Sequence, residues 1–209
     1  MNKIILSVVA VFAFGVANAQ DVPAGNGFSK GDKFVEGAFS IQSGTTNQAS
    51  GDSKSAYKLS PKFGYMINDK LALGAAMEVS GNTFYGSNAN GSKKLSTFGI
   101  GAFARYNFLT LGASQSFNIY AEAGLGYSGT RGENAAGVET QKYNGMKFNI
   151  DLGINYFFAT HWAATFELAN IVSYNTLTQN GDSTNGLNVS INEFNNIFAQ
   201  PTFGLLYKW

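Results

Sequence analysis

Along most of the chain, apolar and polar residues alternate with a period of two. Eight segments show it: 35–42, 57–68, 71–80, 97–108, 117–128, 146–156, 162–169 and 197–209. In the second, Tyr57, Leu59, Pro61, Phe63, Tyr65 and Ile67 alternate with Lys58, Ser60, Lys62, Gly64, Met66 and Asn68. In the fourth, Phe98, Ile100, Ala102, Ala104, Tyr106 and Phe108 alternate with Thr97, Gly99, Gly101, Phe103, Arg105 and Asn107. A β-strand turns successive side chains to opposite faces, so each segment predicts a strand with one apolar face. The seventh loses its alternation past Asn170. The connections alternate as well. Those at 68–70, 109–116 and 158–161 are short, and those at 44–55, 81–94, 129–144 and 175–192 are long and polar. In an antiparallel up-and-down sheet this puts every short turn on one rim and every long loop on the other. An even strand count with that asymmetry is the pattern of an eight-stranded transmembrane β-barrel.

The first residues follow another pattern. Lys3 precedes an apolar stretch at 4–17, which ends in Ala17-Asn18-Ala19. This reads as a secretory signal peptide over 1–19, cleaved between Ala19 and Gln20. Residues 20–32 carry no strand pattern and are expected to be a periplasmic lead-in to a barrel over 33–209. The apolar stretch is shorter than the ~20 residues a spanning helix needs, and no later stretch resembles one. Any membrane crossing must therefore use a closed barrel.

Composition narrows the choice. The 209 residues include 25 Gly, 18 Phe and 10 Tyr, and only 13% are charged. So much Gly argues against long helices, where each interior Gly costs about 1 kcal/mol relative to Ala. So many aromatics argue against disorder. A formal net charge of +1, which falls to zero when Lys3 leaves with the signal peptide, argues against a nucleic-acid surface. The absence of Cys excludes a disulfide scaffold, a thiolate zinc site and a lipidated-cysteine anchor.

Periodicity alone does not say which face points inward. A secreted lipocalin-like carrier would put the apolar face inside, around a ligand. Three features favour the opposite. The polar face is mostly Gly, Ala, Ser, Thr and Asn, small enough for a crowded lumen. Its charges balance: Glu36, Glu78, Glu122, Asp151 and Glu167 against Lys58, Lys62, Arg105, Lys147 and Lys208. Buried charges need partners, and a narrow lumen can supply them. Tyr and Trp also gather at the ends of the apolar face, as Tyr57, Tyr106, Tyr127, Tyr156 and Trp162 do, where a membrane interface suits both ring and polar tip.

The chain closes on Phe203-x-Leu205-x-Tyr207-x-Trp209, which resembles the terminal signal read by the barrel-assembly machinery. With the eight segments and the leader, the chain resembles the small OmpA/OmpX-like outer-membrane β-barrel family. Gln20 after the cleavage site and the Asn-rich loops are similar to Bacteroidetes-type members. The resemblance implies a monomer in the bacterial outer membrane, with both mature termini periplasmic and the long loops extracellular. Its implied partners are outer-membrane lipid and lipopolysaccharide, the assembly machinery during insertion and an unidentified surface partner, but no nucleic acid.

Candidate chemistry is sparse. The single histidine, His161, lies beside Trp162 on the short-turn rim, away from the outer rim where barrel enzymes meet their substrates. Gly99-x-Gly101 and Gly124-x-Gly126 lie inside strands, where glycine leaves room for bulky neighbours such as Phe103 and Tyr120. Asp52 and Asp182 are isolated acids, whereas calcium needs several converging oxygens. Lys93-Lys94 is a basic spot near one rim that lipopolysaccharide phosphates could occupy. No cofactor, metal or catalytic group is expected. The function expected is non-enzymatic, structural or adhesion-type contact through the loops, with a lumen closed by paired charges. The alternatives are a narrow pore for ions or small solutes, and the lipocalin-like carrier.

Overall fold

A computed structural model describes residues 26–47, 52–85, 93–112, 115–134, 136–179, 182–189 and 202–209. The signal-peptide stretch with Ala19 and Gln20, residues 20–25 of the lead-in and 197–201 of the eighth segment lie outside the described residues. The strands are β1 (Lys33–Asn47), β2 (Asp52–Met66), β3 (Leu71–Tyr85), β4 (Lys93–Leu111), β5 (Phe117–Glu133), β6 (Glu139–Phe157), β7 (Trp162–Gln179), β8 (Asp182–Val189) and β9 (Thr202–Lys208). β1 to β7 follow one another around the wall, each antiparallel to the last. β9 pairs with β7 over 162–167 and with β1 over 34–39, closing the ring at its eighth position.

Three expectations change. Of the stretch 175–192, residues 175–179 and 182–189 are strand and not loop. β7 runs on to Gln179 and pairs over 172–179 with β8, so β8 and β9 share the eighth position, one toward each rim. Asn-Gly, the pair that favours two-residue hairpin connections, stands at 180–181 between these strands in the sequence and was the signal for this hairpin. The other long loops are likewise shorter than their polar stretches. Ser43 pairs with Ser55, Thr83 with Lys94 and Arg131 with Lys142. These strand ends show no alternation because both of their faces are polar. Finally, past Phe39, β1 pairs among the described residues with β2 alone. The ring is closed at the short-turn end and not evenly at the long-loop end.

The blurred period of the seventh segment has a structural cause. Pairing with β6 runs Gly153↔Glu167, Leu152↔Ala169, Asp151↔Asn170, Ile150↔Val172. Leu168 and Ile171 are thus extra residues, and each such bulge shifts the inside–outside parity by one. The shifts let Phe166, Ala169, Val172 and Tyr174 share one face although their spacing is irregular.

The apolar face points outward. Ile41 is 65% exposed, Ile100 56% and Leu125 55%, whereas inward-facing Phe34, Arg105 and Leu206 are fully buried. This is the reverse of a lipocalin. The lumen is not lined by small residues alone, since Phe34, Met66, Phe103, Phe157 and Leu206 form an apolar floor near the short-turn rim. Glycines make room for its rings, though not those expected. Phe34 faces Gly64, Phe103 faces Gly74 and Tyr120 faces Gly153 across paired strands. A Cβ on Gly64 would lie 2.2 Å from the Phe34 ring, and one on Gly153 2.3 Å from Tyr120. Gly101 and Gly124 instead abut the Leu125 carbonyl and the Asn149 amide.

Residues 26–32 are not merely a lead-in. Asn26 is fully buried and Phe28 6% exposed. The Phe28 ring packs on Phe34 and Phe157 at centroid distances of 5.3 and 5.1 Å. The segment is tied down by Gly31 N–H to the Met66 carbonyl at 2.9 Å and Lys30 N–H to Asp69 Oδ1 at 2.8 Å. It stoppers the short-turn mouth.

The ring-over-glycine pairs generate a test. Gly74→Val would place a Cβ 2.2 Å from the Phe63 carbonyl oxygen and 2.4 Å from the Phe103 ring, and should cost about 1–3 kcal/mol through overpacking. Gly37→Ala meets nothing within 4 Å and should change stability by less than about 0.5 kcal/mol. Urea titration of the refolded barrel in lipid vesicles, followed by tryptophan fluorescence, measures both.

Candidate functional site: the lumen

The strand register brings opposite charges face to face inside the barrel. Glu36 lies directly across from Lys62, and Arg105 from Glu122. The two pairs meet. Arg105 Nε donates to Glu122 Oε2 at 2.7 Å and Nη1 donates to Glu36 Oε2 at 2.7 Å, while Nη2 lies 2.6 Å from Glu122 Oε2. Lys62 Nζ donates to Glu122 Oε1 and sits 3.8 Å from Glu36 Oε1. Two cations and two carboxylates thus form a neutral quartet. Neutrality is the condition for placing them here, because a buried charge without a partner is strongly destabilising.

Aromatic rings complete the layer. The Arg105 guanidinium carbon is 4.1 Å from the Tyr120 ring centroid, 5.4 Å from Phe34 and 5.7 Å from Phe103. Lys62 Nζ lies 5.7 Å over Phe103. These are cation–π distances, and such contacts strengthen where water is absent. The same rings are those that the glycines of neighbouring strands accommodate, so the floor and the charge layer are one packed unit.

The other sequence-derived charges lie elsewhere. Lys58 Nζ and Glu78 Oε2 form a pair at 2.9 Å with side chains 46% and 36% exposed, where an ion pair contributes little. Asp151 accepts from Asn170 Nδ2 at 2.5 Å and from Asn149 Nδ2, so amides satisfy it rather than a cation. Among the described residues, Lys147 and Glu167 have no ion pair within 4.0 Å. All five line a cavity of roughly 320 Å³ that lies on the long-loop side of the quartet.

Lys208 belongs to the opposite end. Its Nζ donates to the Gly27 carbonyl at 2.8 Å and pairs with Asp32 at 2.9 Å, anchoring the stopper. Asp32 was not legible as a partner, because it precedes the first alternating segment. The ten charges are therefore divided among a quartet, an upper cavity and a lower anchor.

The residues of the terminal motif point outward. Phe203 packs edge-on against Phe166 at 5.3 Å, Tyr207 lies 4.8 Å from Trp162 and Trp209 6.3 Å from Phe63. His161 Nδ1 donates to the Lys208 carbonyl at 2.9 Å, and its ring lies 5.9 Å from Tyr207. It is a turn residue tying β7 to β9, and the contacts described for it are with those strands.

A strand-built ring with its large apolar side chains outside is the architecture of an outer-membrane β-barrel. Residues 6–192 match the family described as outer membrane protein beta-barrel domain, and the chain belongs to that family. Among solved structures it is similar to the outer membrane protein OprG of Pseudomonas aeruginosa, at 16% identity over 90% of this chain and 99% of that one, TM-score 0.49. It is also similar to Neisserial surface protein A, at 16% identity over 86% and 98%, TM-score 0.48. A third is the E. coli outer membrane protein W, at 14% identity over 87% and 99%, TM-score 0.44. No curated protein matches the chain.

The quartet predicts a distinctive pattern of mutational coupling. Arg105→Met leaves two buried carboxylates facing a single lysine and should destabilise the barrel by about 3–5 kcal/mol. Adding Glu122→Gln restores neutrality with Glu36 and Lys62 still opposed, and should recover most of that loss. Denaturant midpoints of the single and double variants measure the difference.

Proposed function

We propose that the protein is a non-enzymatic outer-membrane scaffold whose lumen does not conduct and whose contact surface is its long-loop end. The observation that carries this reading is the fully buried Arg105 side chain at the centre of a neutral quartet. An ion crossing the lumen would have to displace that quartet and then the Phe28–Phe34–Phe157 floor beneath it. Eight strands leave a bore that side chains can fill, and here both charged and apolar layers fill it.

On this reading both chain termini and the short turns face the periplasm. The long strands and the β7–β8 hairpin stand on the outer side, where Leu187 and Val189, 67% and 58% exposed, are available for contact. Outer-membrane lipid and lipopolysaccharide surround the outward apolar band. The barrel stands as a monomer, and Phe203, Leu205, Tyr207 and Trp209 serve the assembly machinery during insertion.

Two measurements test this. In planar bilayers the folded protein should give no stable conductance steps, and liposomes carrying it should not swell in small sugars; large stable steps would establish the narrow pore instead. The chain has no Cys, so single cysteines report orientation cleanly. Ala136→Cys, in the β5–β6 turn, should react with a membrane-impermeant maleimide on intact cells, whereas Lys70→Cys, in the β2–β3 turn, should react only after the outer membrane is opened. The reverse labelling would invert the orientation.

A further inference from the structure

The outer wall carries a charge pattern that the lumen does not explain. On β4, β5 and β6 the outward face ascends toward the long-loop end in matched rows. Ile100, Tyr127 and Met146 share one row, followed by Phe98, Gly129 and Asn144, and then by Ser96, Arg131 and Lys142. Arg131 thus stands directly opposite Lys142, both exposed. Like charges in directly opposed positions, with Cβ atoms ~5 Å apart, destabilise a strand pair. Among the described residues neither has an ion pair within 4.0 Å. Lys94 stands one row further out, opposite Glu133 and likewise without an ion pair within that distance.

The wall is indented at this level, because Ser96 in the basic row and Gly129 in the row below it present almost no side chain. The result is a groove of roughly 600 Å³ on the outside of the barrel. Its flanks are apolar: Tyr57, Val79, Phe98 and Tyr127 line it, and Arg131 and Lys142 close its upper end. Phe98 and Tyr127 are about half exposed and belong to the band that meets lipid. Lys93 and Lys94, adjacent in sequence, point to opposite faces, so only Lys94 joins this cluster.

We propose that this groove holds one lipid of the surrounding membrane whose headgroup carries a phosphate monoester. The acyl portion lies along the apolar flanks and the phosphate between Arg131 and Lys142, with Lys94 beyond it. Three things support this occupant. A phosphate dianion matches two opposed cations and relieves their repulsion. The groove continues directly into the lipid-facing band. The acidic residues Glu133 and Glu139 pair one row further out, which confines the anion to the Arg131–Lys142 row. The proposal goes beyond the scaffold reading and stands whether or not the lumen conducts.

Native mass spectrometry of the detergent-solubilised barrel tests it, with three probes: diphosphoryl lipid A, the same lipid dephosphorylated, and inorganic phosphate. The wild type should retain one diphosphoryl lipid at least about tenfold more tightly than the dephosphorylated form, the scale expected for two cations at a membrane surface. The double substitution Arg131→Gln, Lys142→Gln should abolish that preference, and heat-modifiable gel mobility checks that the variant has folded. Millimolar inorganic phosphate should not displace the lipid. Equal retention of the two lipids by the wild type would overturn the proposal without reference to any variant. An unchanged preference in the folded variant would also overturn it. Displacement by inorganic phosphate would reduce the site to a simple anion site.

Discussion

In hydrocarbon there is no water to pair with a backbone amide or carbonyl, so a sheet can cross only by closing on itself. That closure is made by β9, which joins β7 to β1 over 34–39 and 162–167. With the ring closed at eight positions, the bore is only as wide as the side chains that fill it. At the level of the quartet, inward residues must then pack against one another or be satisfied by one another. The neutral quartet around Arg105 meets that demand for charge. The rings of Phe34, Phe103 and Tyr120, all within 6 Å of the Arg105 guanidinium carbon, meet it for volume.

Glycine is part of the same solution. Phe34, Phe103 and Tyr120 each face a glycine on one neighbouring strand, and a Cβ on Gly64, Gly74 or Gly153 would lie within 2.5 Å of the ring. The rings in turn press on the Arg105 guanidinium. Packing and electrostatics therefore share one layer, with the three rings 4.1–5.7 Å from the Arg105 guanidinium carbon. The stopper at 26–32 adds a second closure, held by Phe28 on the floor and by Lys208 on Asp32 and the Gly27 carbonyl.

Toward the long-loop end different conditions apply. The strands there are longer than the roughly 9–11 tilted residues that lipid requires. Beyond the apolar band both faces can meet water, and the need for alternation disappears. The long strand ends, the β7–β8 hairpin and the cationic row of Arg131 and Lys142 all lie in this zone. Side chains in this zone can change without opening the wall, because they lie beyond the apolar band.

The alternation in the sequence was enough to place most strand segments and to assign short and long rims, because lipid on one side imposes a period of two; the balanced charges and small residues of one face then told which face meets lipid. The sequence balanced the inward charges by sign but paired none of them; Glu36 opposite Lys62 and Arg105 opposite Glu122 came with the register. It did not carry the bulges at Leu168 and Ile171, where an inserted residue erases the period that reveals a strand. Nor did it carry the hairpin after Gln179 or the outer strand ends, where both faces are polar. The ten inward charges looked equivalent in one dimension. Only the three-dimensional ring separated a buried quartet from an open cavity and from an anchor on Asp32, because burial and distance around a barrel depend on register and stagger, which no single strand encodes.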